Sequence, residues 1–159
     1  MSNSAFASVS IVAAAMLLSF AAAAAENGSC VLDGKKIQWV DGVAYHVPDH
    51  SNSTIQDLGI ALTAEAIDRA KVDASTDIDE TMIFHTFADR FVFKIKTGDV
   101  HEIYANISGT NINNNGTDPI GTLKLTSNDA KHVAGTFEYL GTATNKLACD
   151  LKFDVPLVR

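Results

Sequence analysis

The segment "CDLKFDVPL", residues 149–157, alternates without a break: Leu151, Phe153, Val155 and Leu157 fall on one side, Asp150, Lys152 and Asp154 on the other. Successive side chains of a β-strand point to opposite faces, so this spacing demands a strand with one face buried and the other in water. The same period runs through most of the chain after residue 30. "KIQWV" aligns Ile37 with Trp39, and after a "VDGV" turn "VAYHV" aligns Val43, Tyr45 and Val47 and turns Ala44 and His46 the other way. "LGIAL", "MIFHTF", "RFVFKIK", "VHEIYANI", "GTLKLTS" and "HVAGTFEYL" continue the pattern. "TGD" at 97–99 reads as a hairpin turn, because Gly98 accepts the positive φ that such turns require. About eight short strands at this spacing predict a mainly β fold, an antiparallel sandwich or barrel. Periodicity alone does not choose between the two.

One segment departs from period two. "TAEAIDRAKVDA", residues 63–74, is rich in helix formers, with Thr63 placed to cap and Ile67, Ala70 and Ala74 as a narrow apolar stripe. It predicts one short, mostly exposed helix over an end of the sheets. "SGTNINNNGTDPIG", residues 108–121, has four Asn and three Gly, and its composition predicts an exposed hairpin loop suited to contacts.

Residues 1–25 contain no Asp, Glu, Lys or Arg and pass from an apolar run near Ile11 to Phe20 into an alanine tract. This is the pattern of a secretory signal peptide with a mature start at Glu26. The rival reading is an uncleaved anchor, since Val9 to Ala25 approaches the roughly 17 to 25 residues that a spanning helix needs. The alanine-rich end and the missing basic flank favour cleavage, leaving 26–159 as a single exported domain with no stable membrane insertion.

All 19 acidic and 12 basic side chains lie after residue 25, so that domain carries the whole formal charge of −7. Such a surface repels phosphate backbones, and no basic stripe interrupts it, which argues against a nucleic-acid partner. Two cysteines, Cys30 and Cys149, sit near its two ends. In an exported chain an even pair is expected to form a disulfide, here tying the first strand to the last.

Candidate chemistry is sparse. "AYHVPDH" offers His46, Asp49 and His50 as metal ligands, since imidazole and carboxylate suit zinc or copper. Pro48 ends the strand, however, so the two histidines are not on consecutive helical turns. The competing reading makes His46, His50, His85, His101 and His132 scattered surface residues. "DIDE" supplies Asp77, Asp79 and Glu80, with Asp73 nearby, but in a polar connection where a solvated loop is expected. A nucleophile elbow, a zincin helix, a calcium loop and a phosphate loop are all missing from the sequence, and no cofactor is indicated. Asn27, Asn52, Asn106 and Asn115 meet the N-x-S/T pattern, which matters only in a eukaryotic host. Trp39 shares a face with Ile37 and is expected in the core, whereas Tyr104 and Tyr139 are aromatic residues suited to a carbohydrate or peptide contact.

The order "LDGKKI", "VAYHVPD" and "IALTAEAID" between residues 32 and 68, followed by "VAGTF" at 133–137 and the terminal "CDLKFDVPL", resembles small exported β-rich proteins of Gram-negative bacteria. In those a "dGk" hairpin leads to an "Ay" strand, then an "LT" segment and a short helix. The resemblance implies a fold and a periplasmic or extracellular location, and no catalytic residue. The expectation is a non-enzymatic domain that binds a protein or cell-envelope partner. The alternatives are a periplasmic metal or small-ligand binder built on His46, Asp49 and His50, and a small hydrolase using Asp77, Asp79 or Glu80 with a histidine.

Overall fold

The alternating segments pair as period two requires, one face of each sheet closing against the other sheet. The structure is a computed structural model that describes residues 27–48, 56–85, 89–142 and 146–158. The signal-peptide reading falls on residues outside these. Ten strands occur among the described residues: β1 (Ser29–Leu32), β2 (Lys35–Gln38), β3 (Asp41–Pro48), β4 (Gln56–Thr63), β5 (Arg90–Lys96), β6 (Asp99–Ile107), β7 (Thr110–Asn115), β8 (Thr122–Asn128), β9 (His132–Leu140) and β10 (Ala148–Pro156). They form two separate five-stranded sheets with antiparallel pairing and no closed barrel, in the orders β2-β1-β10-β9-β8 and β3-β4-β5-β6-β7. The architecture is a β-sandwich.

The first sheet is sewn together from the two ends of the chain. Cys30 lies opposite Cys149 in the β1–β10 register, and the two are joined as a disulfide. The second sheet is a plain meander. Its hairpin turns at Thr97–Gly98 and Ser108–Gly109 hold both central residues at positive φ, 51° and 98° in the first and 51° and 81° in the second. That pairing matches the twist of the flanking strands, and glycine adopts its half of it without steric cost. The open edge of β3 is capped by the C-terminal residues, where Val158 N–H donates to the Ala44 carbonyl at 2.8 Å.

Between the sheets lies an aromatic core. Phe93 stacks on Phe137 at 4.8 Å between centroids, meets Phe153 edge-on at 5.6 Å and touches Phe91 at 5.9 Å. Trp39 closes one end against Phe91, and its indole N–H points to Cys30 Sγ at 3.3 Å. Each such side chain, fully buried, contributes about 1.5 to 3 kcal/mol of transfer free energy.

A second cluster sits on the opposite face of the second sheet, where Val43, Tyr45, Val47, Ala61 and Val92 meet Ile67, Val72, Met82 and Ile83. Residues 67–85 therefore form a third layer. This corrects four expectations. The helix spans only Arg69–Ala74 (α1), is capped by Asp68 rather than Thr63, and buries Val72 while Ala70 and Ala74 stay exposed. It covers a face of the sheet, not an end, because Asp41 on β3 holds it there: Oδ1 accepts from Arg69 Nη2 at 2.6 Å and Oδ2 from Ile67 N at 2.8 Å. Ala44, read as facing away from the core, lies in the intersheet core, because β3 is buried on both faces around Ala44.

"MIFHTF" is not a strand: Ile78–Glu80 form a single helical turn (α2) that runs into a π-helical turn at Thr81–His85. Consecutive Met82 and Ile83 are both buried, which a strand with one covered face does not allow. Finally, "NINNN" is strand β7, not loop. Asparagine is a poor strand former on average, but an edge strand needs only one ladder partner, and Asn111 Oδ1 accepts from Asn106 Nδ2 across the pair at 2.7 Å.

Candidate functional site

Among the described residues the helical layer covers the outer face of the second sheet over β3, β4 and part of β5. Inner-facing residues of β5 to β7, among them Phe91, Phe93, Ile103, Ala105 and Ile112, belong to the intersheet core, so alternation sends their neighbours outward. Register aligns those neighbours in three rows: Lys94, Glu102 and Asn115; Val92, Tyr104 and Asn113; Arg90, Asn106 and Asn111.

The first row is a charged clamp. Lys94 Nζ lies 2.7 Å from Asp79 Oδ2 and 3.3 Å from Glu102 Oε2, with its side chain only 13% exposed. Tyr45 OH donates to Asp79 Oδ1 at 3.0 Å, Tyr104 OH donates to Glu102 Oε2 at 3.1 Å, and the ammonium stands 5.3 Å from the Tyr104 ring centroid. The Tyr45 ring rests on Gly59, its partner across the β3–β4 pair, where a β-carbon would come within 2.5 Å of it. The clamp pins α2 to the sheet. "DIDE" is thus not a solvated loop: Asp79 is a structural anchor, and Asp77 caps α2 by accepting from Glu80 N at 2.9 Å.

Its electrostatics suit holding rather than catalysis. Burial, then the Asp79 carboxylate, pushes the Tyr45 hydroxyl well above its ordinary value. Tyr104 is raised by burial and by Glu102. Burial acts to lower Lys94, but its contacts with Asp79 and Glu102 outweigh that and raise it. None of these groups is tuned towards neutral pH, where a general acid or base works best.

Because both Tyr45 and Lys94 are raised in the folded protein, their stabilisation is complete below the ordinary values of 10.0 and 10.5 and is lost as pH climbs through the folded ones. We expect unfolding at alkaline pH in which one of the three tyrosines gains phenolate absorbance only together with loss of circular dichroism. Reversible ionisation of all three in a folded protein would contradict the clamp.

Beside the clamp, the uncovered part of the face forms a groove of about 400 Å³. Ile83 and Phe84 make one wall, the outer faces of β5 to β7 make the floor, and Arg90, Tyr104, Asn106, Asn111 and Asn113 line it. Phe84 is 63% exposed, although Met82 and Ile83 beside it are buried. The π-helical turn thus buries two consecutive side chains and presents the third. Burial lowers Arg90 from its ordinary value, yet a guanidinium remains cationic at neutral pH.

His46, His101 and His132, the histidines whose side chains are described, do not line the groove. His46 is exposed on β3, opposite Leu58, whereas Asp49 and His50 lie outside the described residues. His132 contacts Asp154, and His101 is half-buried on β6. No three His, Cys, Asp or Glu side chains among the described residues gather as a metal centre would require. Trp39 is fully buried, as expected, and of the two tyrosines singled out for contacts Tyr104 lines the groove. Among the N-x-S/T sites, Asn27 is 3% exposed and its Oδ1 lacks a partner, while Asn115 is exposed. Phe84 and Arg90 escape sequence reading because the first looks like a strand residue and the second reads as an ordinary charge at the start of a strand.

Comparison of the chain with known protein families, with described proteins and with solved structures gives no match.

Proposed function

We propose that this chain is exported and works outside the cytoplasm as a non-catalytic module that binds another macromolecule, a protein or a component of the cell envelope. The observation that carries the reading is the half-covered second sheet. Its helical layer ends before β6 and β7, leaving an exposed phenylalanine, a tyrosine and a row of carboxamides around one groove. Concave, largely apolar surfaces with a few polar groups are where ligands are usually taken. Two features support export: the apolar, uncharged residues 1–25 and the Cys30–Cys149 bridge, which persists in oxidising compartments. Resemblance to exported Gram-negative proteins favours the periplasm. The proposed contact surface is the groove, which takes Asn111 and Asn113 of its lining from the 108–121 segment.

The test is site-specific crosslinking in the host's own exported fraction. A photoreactive side chain at Asn113 is expected to yield one discrete adduct that disappears with Phe84→Asp, and the same group at Lys152, exposed on the outer face of the first sheet, to yield none. Identical adducts from both positions, or none from Asn113, would reject the assignment.

A further inference from the structure

We infer that the groove between the π-helical turn and β5 to β7 is a saccharide site, filled by a free oligosaccharide or by the glycan part of an envelope polymer. The inference rests on the reading of this face as the binding surface and adds the class of ligand. It follows from what the lining demands of an occupant. Asn106, Asn111 and Asn113 bring three carboxamides to the floor, and an apolar occupant would bury them against nothing that bonds. Asn106 and Asn111 already share a bond, but each keeps further donor or acceptor capacity, and the Asn113 side chain has no partner among the described residues.

A polar occupant without an apolar face is equally mismatched, because Phe84 and Ile83 form the wall and Tyr104 lies on the floor. The ligand must therefore be dense in hydroxyls at its edges and apolar on a face. A pyranose ring has this division: axial C–H groups lie against aromatic rings, and neighbouring hydroxyls exchange two hydrogen bonds with one planar carboxamide or accept two from a guanidinium.

Charge narrows the class further. The lining contains Arg90 and no acid, in a protein whose formal charge is −7. A cationic occupant finds no counter-ion there, and a polyphosphate finds one cation where it needs several. Neutral sugars, or uronic acids carrying one carboxylate each, fit both limits. The spacing suits a ring as well: Asn111 and Asn113 are two residues apart on one strand face, about 7 Å along β7, so a ring can be held at two edges. The volume of about 400 Å³ lies in the range of ordinary ligand sites.

The experiment is saturation-transfer and chemical-shift NMR on the full folded domain with four defined probes: oligomers of β-linked N-acetylglucosamine, of β-linked glucose, of α-linked glucose and of galacturonate. We expect at least one to bind, with shifts at Phe84, Tyr104, Asn111 and Asn113. Its affinity should fall about tenfold or more in both Phe84→Ala and Asn113→Ala and stay unchanged in Lys152→Ala, all three remaining folded. Failure of every probe to bind, or binding that neither groove variant weakens, overturns the saccharide assignment. If the probes fail while a protein adduct still forms from Asn113, only the ligand class is wrong; if that adduct is missing too, the binding reading falls with it.

Discussion

Breaking the Cys30–Cys149 bridge is expected to lower the unfolding free energy by about 2 to 5 kcal/mol, a large share of the roughly 5 to 15 kcal/mol typical of a domain. The cysteines are 119 residues apart, and on the chain-entropy model so long a loop gives close to the maximum effect, about 5 kcal/mol. The topology adds a local consequence. Among the described residues β2 pairs only with β1, and β1 reaches the rest of its sheet only through a three-residue register with β10. Without the bridge that hairpin hangs on few hydrogen bonds, and Trp39, whose indole rests on Cys30, loses its neighbour.

The clean comparison is the oxidised protein against the Cys30→Ala, Cys149→Ala double variant, because a single replacement leaves a buried thiol. Urea unfolding should show the fall in midpoint, and hydrogen exchange should show β1 and β2 opening before the second sheet. A change below about 0.5 kcal/mol, the scatter of ordinary surface substitutions, would mean that the unfolded chain gains almost nothing from the lost constraint.

What a chain of this kind announces in its own residues depends on whether the controlling contact is local. β10 is legible because Leu151, Phe153 and Val155 each face the core and Asp150, Lys152 and Asp154 each face water. Gly98 is legible because a turn demands something of that residue alone. The helical layer is different. Met82 and Ile83 look like strand residues until Asp77 and Asp79 are seen capping α2 and anchoring it to Lys94 and Tyr45, partners 15 to 34 positions away.

Asparagine in β7 misleads for the opposite reason. Its average preference is for turns, and here a two-residue hairpin and the cross-strand bond to Asn106 outweigh that preference. The groove was out of reach for both reasons at once. One wall comes from a segment that reads as strand and one side of the floor from a segment that reads as loop. The groove's visible signals are Tyr104, an aromatic side chain on the polar face of its strand, and the polar composition of 108–121, which holds Asn111 and Asn113.

Phe93→Ala is expected to cost about 3 to 5 kcal/mol, comparable to losing the bridge. Phe93 is fully buried at the centre of the aromatic core, with Phe91, Phe137 and Phe153 all within 6 Å between centroids. Those neighbours come from both sheets and are held by ladders on either side, so they cannot collapse far into the space left behind. The cost therefore includes the cavity as well as the lost transfer free energy. The informative control is the same substitution at Phe84, which is expected to change stability by less than about 0.5 kcal/mol because the ring is mostly in solvent. Urea unfolding of the two variants separates the roles that one residue type plays here. A severe loss for Phe93→Ala with a negligible one for Phe84→Ala leaves ligand contact as the reason for an exposed ring beside two buried side chains. A cost of 2 kcal/mol or more for Phe84→Ala would make that ring part of the third layer's packing and would remove the main wall of the proposed site.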